Sequence, residues 1–280
     1  NKKYDEKILI NVLKNFDKTG EYVVEPGRNE IKKFEIDIEN NLKKGNEKKK
    51  KNNNIENTET KKIVNVKKFK QKDFITNFFY KFKGSKAKRS YEYAKKLLEY
   101  KIKTPEPIAY FDDFVNENNK KNSYYISEEL KYDFTCREVL WNDFGLSDEE
   151  MEKQMPYRDE VIRQFAKFTV KLHESGVKFD DYSPGNVLIK KDGDKYEFYL
   201  VDLNRMSFNT KLSLTTRMEN VSKMMEEEVF ARKFSKAYSE FCTRYTEEEV
   251  FKKLYHFIKK HKFRVFIKDS TRPFRRMLKK

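Results

Sequence analysis

The sequence predicts an α+β fold with two lobes: a small β-rich N-lobe that contains one main helix, and a larger, mostly helical C-lobe. Strand-like apolar runs dominate residues 22–130, and one segment with helical spacing interrupts them. Beyond residue 130 the apolar residues recur mainly at helical spacing, with a single hairpin signal at Asp192-Gly193. We therefore assign residues 1–130 to the N-lobe and residues 131–280 to the C-lobe.

The N-lobe begins with a predicted β-hairpin over residues 22–38, which Pro26-Gly27 interrupts. The next segment, about residues 40–62, is almost entirely Lys, Asn, Glu and Thr. Such a composition cannot bury enough apolar surface to offset the entropy lost on ordering, so we predict a disordered insertion there. The remaining predicted elements of this lobe are a β-rich run at 63–66, a helix over about residues 85–100, and strand-like runs at 108–111 and 124–127.

The C-lobe contains a predicted helix between Tyr157 and Ser175, because four apolar residues recur there at i, i+4, i+7 and i+11: Val161, Phe165, Phe168 and Leu172. A hairpin follows, in which residues 187–189 and 196–201 flank the Asp-Gly turn. From about Leu214 onward the pattern predicts helices, and the sequence ends in the basic segment 272–280.

Composition excludes several classes of protein. The chain has 24 Phe and 17 Tyr, an aromatic content that a disordered protein would lack. Cys136 and Cys242 stand far apart without a CxxC pair or a Cys/His cluster, which argues against a disulfide framework and a zinc site. No apolar run approaches the roughly 18 residues of a membrane span, and no signal-peptide pattern opens the sequence. We expect a cytoplasmic protein that could attach to a membrane surface.

The formal net charge of +16 favours an anionic partner, such as nucleic acid, an acidic membrane face or a phosphorylated substrate. The lysines are spread along the chain rather than gathered in one stripe, so a general abundance of Lys explains the charge equally well. No nucleic-acid-binding motif is present, and we expect no nucleic-acid partner.

The residues that carry chemistry lie between 179 and 204. Asp181 precedes Asn186 by five positions on a loop between a predicted helix and the hairpin, and Asp202 follows the hairpin. Phosphoryl transfer needs one group to orient the acceptor hydroxyl and oxygen ligands to hold Mg²⁺ against the phosphates. A turn would also favour these residue types, but a turn explains neither Asp202 nor the helix–loop–hairpin context.

Asp181 to Asn186 resembles the D-x-x-x-x-N part of the protein-kinase catalytic loop, and Asp202 stands where the aspartate of D-F-G belongs. The resemblance implies that Asp181 is the catalytic base, that Asn186 and Asp202 are metal ligands, and that the cofactors are ATP and Mg²⁺. It also implies a nucleotide-anchoring lysine at the end of the strand before the N-lobe helix. We choose Lys67, with Lys68 as its rival, and Glu92 in the helix as its partner.

The same resemblance places further nucleotide contacts in the N-lobe. The segment 125–130 resembles the hinge, where the backbones of Glu128 and Leu130 would bind adenine. Gly27 and Arg28 occupy the position of the phosphate loop, although the G-x-G-x-x-G pattern is missing. Other departures are Phe179 in place of the catalytic-loop histidine, Leu203-Asn204 in place of Phe-Gly, and the lack of A-P-E.

A closer resemblance is to the lipopolysaccharide core sugar kinases, the Kdo and heptose kinases. It rests on residues 104–110, 172–176, 181–186 and 199–204 and runs from about Tyr22 to Met218, less the insertion. It implies ATP-dependent phosphorylation of a sugar hydroxyl on the anionic lipid A–core precursor, at the inner face of the inner membrane. His173 reads as a packing or hydrogen-bonding residue.

Two other functions are alternatives to a sugar kinase: one keeps the kinase activity, and the other has no catalytic activity. An atypical protein Ser/Thr kinase would share the fold but phosphorylate a protein, although the short segment after Asp202 offers little platform for a peptide. A non-catalytic pseudokinase or basic scaffold would have no need for the intact Asp181, Asn186 and Asp202.

Overall fold

The computed structural model describes residues 4–24, 29–38, 60–70, 84–116, 119–141, 145, 147–208 and 211–271. The chain forms two compact units. The first comprises Asn1–Lys96 and Pro105–Leu130, and the second comprises Leu97–Thr104 and Lys131–Lys280. No helix in the described part of the chain is long and apolar enough to cross a membrane.

An antiparallel sheet of five strands forms the first unit, in the order β1-β2-β3-β5-β4. Its strands are β1 Glu21–Tyr22, β2 Asn29–Ile38, β3 Thr60–Lys70, β4 Pro107–Val115 and β5 Lys121–Glu128. These strands confirm the predicted hairpin and the three predicted strand-like runs. The insertion, however, was predicted to reach residue 62, whereas Thr60 already pairs with Ile38 across the β2–β3 ladder. The remainder of the predicted insertion, residues 40–59, lies outside the described residues.

Helix α1, Glu6–Lys14, covers one face of this sheet and was not predicted. Asp5 begins it as an N-cap that accepts a hydrogen bond from the backbone N–H of Lys7 at 2.8 Å. Its buried side chains and the residue just beyond it follow the i, i+3, i+4, i+7 spacing of an amphipathic helix: Leu9, Val12, Leu13 and Phe16. They share one core cluster with the strand residues Val64, Val66, Tyr124 and Ile126.

Helix α2, Lys86–Glu99, confirms the predicted main helix. Its buried residues Ala87, Ala94 and Leu97 recur at helical spacing. Tyr91 packs its ring 5.4 Å, centroid to centroid, from Tyr110 of β4. This contact identifies the sheet face that α2 covers, because alternate residues along a strand point to opposite faces.

The second unit is mostly helical, as predicted. Its helices are α3 Cys136–Leu140, α4 Asp148–Gln154, α5 Arg158–Glu174, α6 Leu214–Val221, α7 Glu228–Phe241 and α8 Glu247–Ser270, with a 3₁₀ turn at Pro184–Asn186. Its strands are β6 Phe134–Thr135, β7 Lys178–Phe179, β8 Val187–Asp192, β9 Lys195–Leu200 and β10 Met206–Ser207. Helix α5 and the β8–β9 hairpin match the two elements that the sequence specified most clearly.

An aromatic core holds the second unit together around Phe165 of α5. The ring of Phe165 lies 6.0 Å from that of Tyr182, 5.7 Å from that of Phe198 and 5.8 Å from that of Phe234, all between centroids. These three partners belong to the loop after β7, to β9 and to α7. The loop is therefore fixed to the core by a side chain that is itself fully buried.

Candidate active site

The loop between β7 and β8 is held by its own backbone. Tyr182 N–H donates to the Phe179 carbonyl at 3.1 Å, and Asn186 N–H donates to the Ser183 carbonyl at 2.9 Å. The Tyr182 hydroxyl hydrogen-bonds the Thr169 hydroxyl of α5 at 2.8 Å inside the core. Pro184 begins the 3₁₀ turn, where its fixed φ suits the first position. The loop thus has one shape, and Asp181 and Asn186 lie on it.

Two hydrogen bonds bring the three sequence-predicted residues together. Asn186 donates from its side-chain Nδ2 to the Asp181 carbonyl at 2.9 Å. The Asn186 carbonyl accepts from the N–H of Val201 at 3.0 Å. Because Val201 is bonded to Asp202, Asn186 links the loop to the end of β9 where the second carboxylate stands.

Asp202 adopts a left-handed backbone conformation, with φ of 58°. This region is uncommon for residues other than glycine, although Asp and Asn enter it more often than most. The side-chain amide of Asn204 donates to Asp202 Oδ1 at 2.7 Å and so orients the carboxylate. Leu203 and Asn204, which depart from the Phe-Gly of protein kinases, are both buried.

Arg205 is a site residue that the sequence interpretation missed. Its Nη1 lies 3.3 Å from Asp181 Oδ1. The Arg205 carbonyl accepts the N–H of Asp180 at 3.1 Å, next to the ladder in which Met206 faces Phe179. An exposed arginine in so basic a sequence carries no local signal, and only the β7–β10 pairing places it beside Asp181.

A buried hydrogen-bond chain reaches this loop from the helices. Arg217 Nη1 donates to the Tyr238 hydroxyl at 3.3 Å, and that hydroxyl lies 3.0 Å from His173 Nδ1. His173 Nε2 lies 3.4 Å from Asn220 Oδ1, and Asn220 Nδ2 donates to the Phe179 carbonyl at 2.6 Å. This hydrogen-bond chain therefore begins at a guanidinium of α6 and ends on the Phe179 carbonyl, just before the loop that carries Asp181 and Asn186.

The chemistry of the donors and acceptors fixes the direction of each hydrogen bond in this series. An Arg side chain only donates, so the Tyr238 hydroxyl accepts from it and donates its own hydrogen to His173 Nδ1. His173 then donates from Nε2 to Asn220. Burial, and next the charge of Arg217, lowers the pKa of His173 to about 3, which keeps the ring neutral at physiological pH. The interpretation of His173 as a hydrogen-bonding residue is confirmed, whereas Asn220 was missed because an isolated helical Asn has no sequence signature.

The register of the first unit separates Lys67 from Lys68. Lys67 pairs with Tyr125, which pairs with Tyr110, so these three side chains lie on the sheet face that α2 covers. Lys68 points to the opposite, α1 side, where Nζ lies 2.6 Å from Asp17 Oδ1 and 3.7 Å from Glu30 Oε2. The rival lysine is thus itself buried and forms ion pairs with two carboxylates.

The other predicted residues of the first unit divide into three cases. Glu92 is exposed and forms an ion pair with Lys88 of the same helix at 3.8 Å. Glu128 donates its N–H to the Glu106 carbonyl at 2.9 Å and accepts from the Tyr4 hydroxyl at 2.6 Å. Leu130 is partly buried, and Gly27 and Arg28 lie outside the described residues. The pairing of Lys67 with Glu92 therefore stays a prediction.

The sheet with helix α2, the helical second unit and the loop–hairpin arrangement together define a protein-kinase-like fold. A solved structure of WaaP in complex with acyl carrier protein matches with a TM-score of 0.51 at 12% sequence identity, over 87% of this chain and 87% of that chain. Residues 46–245 match the Lipopolysaccharide kinase (Kdo/WaaP) family. This match covers more than half of the sequence, and the protein belongs to that family.

The Rio2 kinase–ADP/Mg²⁺–phosphoaspartate complex from Chaetomium thermophilum matches with a TM-score of 0.39 at 13% identity, over 88% of this chain and 65% of that chain. No curated protein sequence matches this one.

Proposed function

We propose that the protein is an ATP-dependent phosphotransferase that phosphorylates a sugar hydroxyl, of Kdo or heptose, in the inner core of lipopolysaccharide. The observation that carries the proposal is the linkage of Asp181, Asn186 and Asp202 through the Asn186 side chain and backbone. Membership of a lipopolysaccharide kinase family supports the same reaction class. The remaining assignments follow from what each residue can do in that reaction.

Asp181 is the proposed catalytic base. The acceptor oxygen attacks the γ-phosphorus, the bond from that phosphorus to the bridging oxygen of ADP breaks, and Asp181 takes the proton of the acceptor hydroxyl. Arg205 orients the Asp181 carboxylate through Oδ1, which leaves Oδ2 for the acceptor. The Asn186 bond to the Asp181 carbonyl holds the backbone beneath this carboxylate.

Asn186 and Asp202 are the proposed ligands of Mg²⁺, which would neutralise charge on the phosphates when bound. The donor set fits the ion. Because Asn186 uses its amide nitrogen toward Asp181, its side-chain oxygen is the atom left to face a cation. Among the described residues no cluster of three or more His, Cys, Asp or Glu could hold a metal. A kinase Mg²⁺ requires no such cluster, since water and phosphate supply its other ligands.

In the first unit, Lys67 is the proposed phosphate-anchoring lysine and Glu92 its partner. The position of Lys67 on the α2 face favours it over Lys68, which lies on the α1 face beside Asp17. The N–H of Glu128 is engaged with Glu106, so we assign the adenine-binding donor to Leu130 and retain the Glu128 carbonyl as the acceptor. Gly27 and Arg28 are the proposed phosphate-loop contacts by resemblance alone.

The acceptor is proposed to be a glycolipid rather than a protein. Only residues 203–213 separate Asp202 from α6, which leaves little chain for a peptide platform. We infer that the protein works at the cytoplasmic face of the inner membrane as a peripheral protein, because the lipid A–core precursor is anchored there and the net charge of +16 suits an anionic substrate.

A thermal-shift measurement with Mg·ATP tests the nucleotide assignment. At about 100 times Kd, a ligand that binds only the native state adds roughly 2.7 kcal/mol of stability, so the unfolding temperature should rise. Asp202→Ala should lose this rise. Asp192→Ala, which removes a carboxylate from the exposed hairpin turn, should keep it. No rise in the wild-type protein would contradict the proposal.

Phosphate transfer is the second measurement. Radiolabelled phosphate from ATP should appear on a lipid A–core acceptor with the wild-type protein and Asp192→Ala. With Asp181→Ala the transfer should fall by at least about a hundredfold while the thermal shift persists, since a general base contributes roughly 10²–10⁴-fold. Labelling of a protein substrate, with none on the glycolipid, would instead favour the atypical protein kinase.

A further inference from the structure

A basic cavity of about 190 Å³ opens beside the catalytic loop of the second unit. Asp180, the residue before Asp181, forms part of its wall, as does Asn220, which anchors the loop at Phe179. Lys223 also lines the cavity and donates from Nζ to the Asp180 carbonyl at 2.9 Å. Two residues that line the cavity therefore hydrogen-bond directly to the backbone of Phe179 and Asp180. None of the residues assigned to the transfer reaction lines the cavity.

The lining of the cavity has an excess of positive charge. Four cationic side chains face two carboxylates, Asp180 and Glu219, and the cations are Lys178, Lys223, Lys260 and Arg264. One carboxylate is already engaged, because Asp180 Oδ1 lies 3.0 Å from Lys178 Nζ. His261 lies in the same wall, and burial followed by the charge of Lys223 lowers its pKa. An anion would relieve this repulsion among cations.

Helix α8 has one face that lines the cavity and, beside it, an apolar stripe. The residues of α8 that line the cavity repeat at i, i+3, i+4 and i+7 and so share one face: Phe257, Lys260, His261 and Arg264. Phe263, Phe266 and Ile267 form a second stripe at the same spacing, rotated about a third of a turn from the first. These three side chains are 64%, 67% and 44% exposed. Large exposed aromatic side chains beside a basic face are typical of helices that lie at a lipid interface.

We propose that this cavity binds the phosphorylated head group of a membrane glycolipid, while the stripe of Phe263, Phe266 and Ile267 enters the lipid interface beside it. The inference deepens the proposed function, on which it rests, because it states where the acceptor is held. A cavity of this volume takes a phosphate-sized anion rather than a whole nucleotide. A soluble anion would need no apolar stripe, and a flat layer of phospholipid would not reach into a concavity.

Vesicle co-sedimentation without nucleotide tests the inference independently of catalysis. The probes are phosphatidylcholine vesicles that contain lipid A, and phosphatidylcholine vesicles that contain phosphatidylglycerol, adjusted to the same surface charge. We expect at least about tenfold tighter binding to the lipid A vesicles. Lys260→Ala/Arg264→Ala should weaken that binding by about 25-fold, since each basic residue near an anionic surface contributes about fivefold.

Matched variants separate the cavity from general charge. Lys190→Ala/Lys195→Ala removes the same charge from the exposed hairpin of the same unit and should change binding less than about twofold. Phe263→Ala/Phe266→Ala should weaken binding to both kinds of vesicle, and Tyr132→Ala, another exposed aromatic, should not.

Two results would overturn the inference. One is equal binding of the wild-type protein to the two charge-matched vesicles. The other is unchanged lipid A binding by Lys260→Ala/Arg264→Ala. Neither of these results depends on ATP, so a failure of the nucleotide assignment would leave the vesicle measurement interpretable.

Discussion

Asn220 connects the buried hydrogen-bond chain to the loop that carries Asp181 and Asn186, and Asn220→Ala tests whether that connection holds the loop in place. In the wild-type protein Nδ2 donates to the Phe179 carbonyl at 2.6 Å, and Oδ1 accepts from His173 Nε2 at 3.4 Å. Without Asn220 the Phe179 carbonyl keeps the bond that it accepts from the N–H of Tyr182, while the imidazole N–H of His173 loses its acceptor inside the core. A buried donor without a partner costs about 1–3 kcal/mol, and the lost bond to Phe179 adds about 1 kcal/mol.

The variant should therefore lower the free energy of unfolding by about 2–4 kcal/mol. Urea denaturation followed by far-ultraviolet circular dichroism measures this difference. With an m value of about 3 kcal/mol per molar urea, the midpoint should fall by roughly 0.7–1.3 M. Thr215→Ala is the matched control, because Thr215 is exposed on the same helix and its replacement should cost less than about 0.5 kcal/mol.

A midpoint change for Asn220→Ala no larger than that of the control would refute the reasoning. Asn220→Asp adds a test of the hydrogen-bond direction, because a carboxylate can accept from His173 but cannot donate to the Phe179 carbonyl. Burial raises the pKa of an introduced carboxyl group, and its protonated form can donate. The destabilisation relative to the wild-type protein should then be larger at pH 8 than at pH 5, and an effect independent of pH would assign the loss to packing.

Three further predictions concern other parts of the chain. Lys67→Ala should abolish the thermal shift with Mg·ATP and should change the stability of the protein little. Lys68→Ala should lower the unfolding temperature and should keep the thermal shift. The reverse result would make Lys68 the phosphate-anchoring lysine. Burial alone would raise the pKa of Glu174, but the hydrogen bond and the charge of Arg217 outweigh burial and lower this pKa. The ionised carboxylate therefore stabilises the folded protein, and this contribution is lost as the pH falls through the pKa that Glu174 has in the folded state. Glu174→Gln should therefore destabilise more at pH 7 than at pH 3 in thermal unfolding, and an equal effect at both would contradict this sign. Replacing residues 39–59 by Asn-Gly should preserve the β2–β3 register and should keep or raise the unfolding temperature. The reason is that each halving of the length of a loop saves about 0.6 kcal/mol of closure entropy. A lower unfolding temperature would show that the segment packs.

The sequence specified those parts of the fold whose information is local. Helix α5 and the β8–β9 hairpin follow from apolar spacing and an Asp-Gly turn. The catalytic role of residues 181–186, which a motif of six consecutive residues indicates, stays a prediction. Helix α1 has an equally regular apolar spacing, at Leu9, Val12, Leu13 and Phe16, and was not predicted. The end of the insertion was misplaced because Lys61 and Lys62 have no apolar side chain, although the β2–β3 ladder accommodates them.

The parts that could not be predicted depend on pairing between distant segments. Lys67 and Lys68 are equivalent in sequence, and only the β3–β5 register assigns one of them to the α2 face. Arg205 reaches Asp181 because β7 and β10 pair through two residues each. Asn220 has no signature at all, since its role arises from a carbonyl 41 positions away.

The candidate site of the second unit comes from one short stretch of the chain. Asn186 and Asp181 are five positions apart, and Arg205 and Asp181 are 24 apart. Contacts between residues near in sequence form faster than distant ones, because less chain entropy is lost in bringing them together. We therefore expect the loop and its hairpin to acquire their geometry early in folding. The bond from α6, at a separation of 41, would then close over a site that is already assembled.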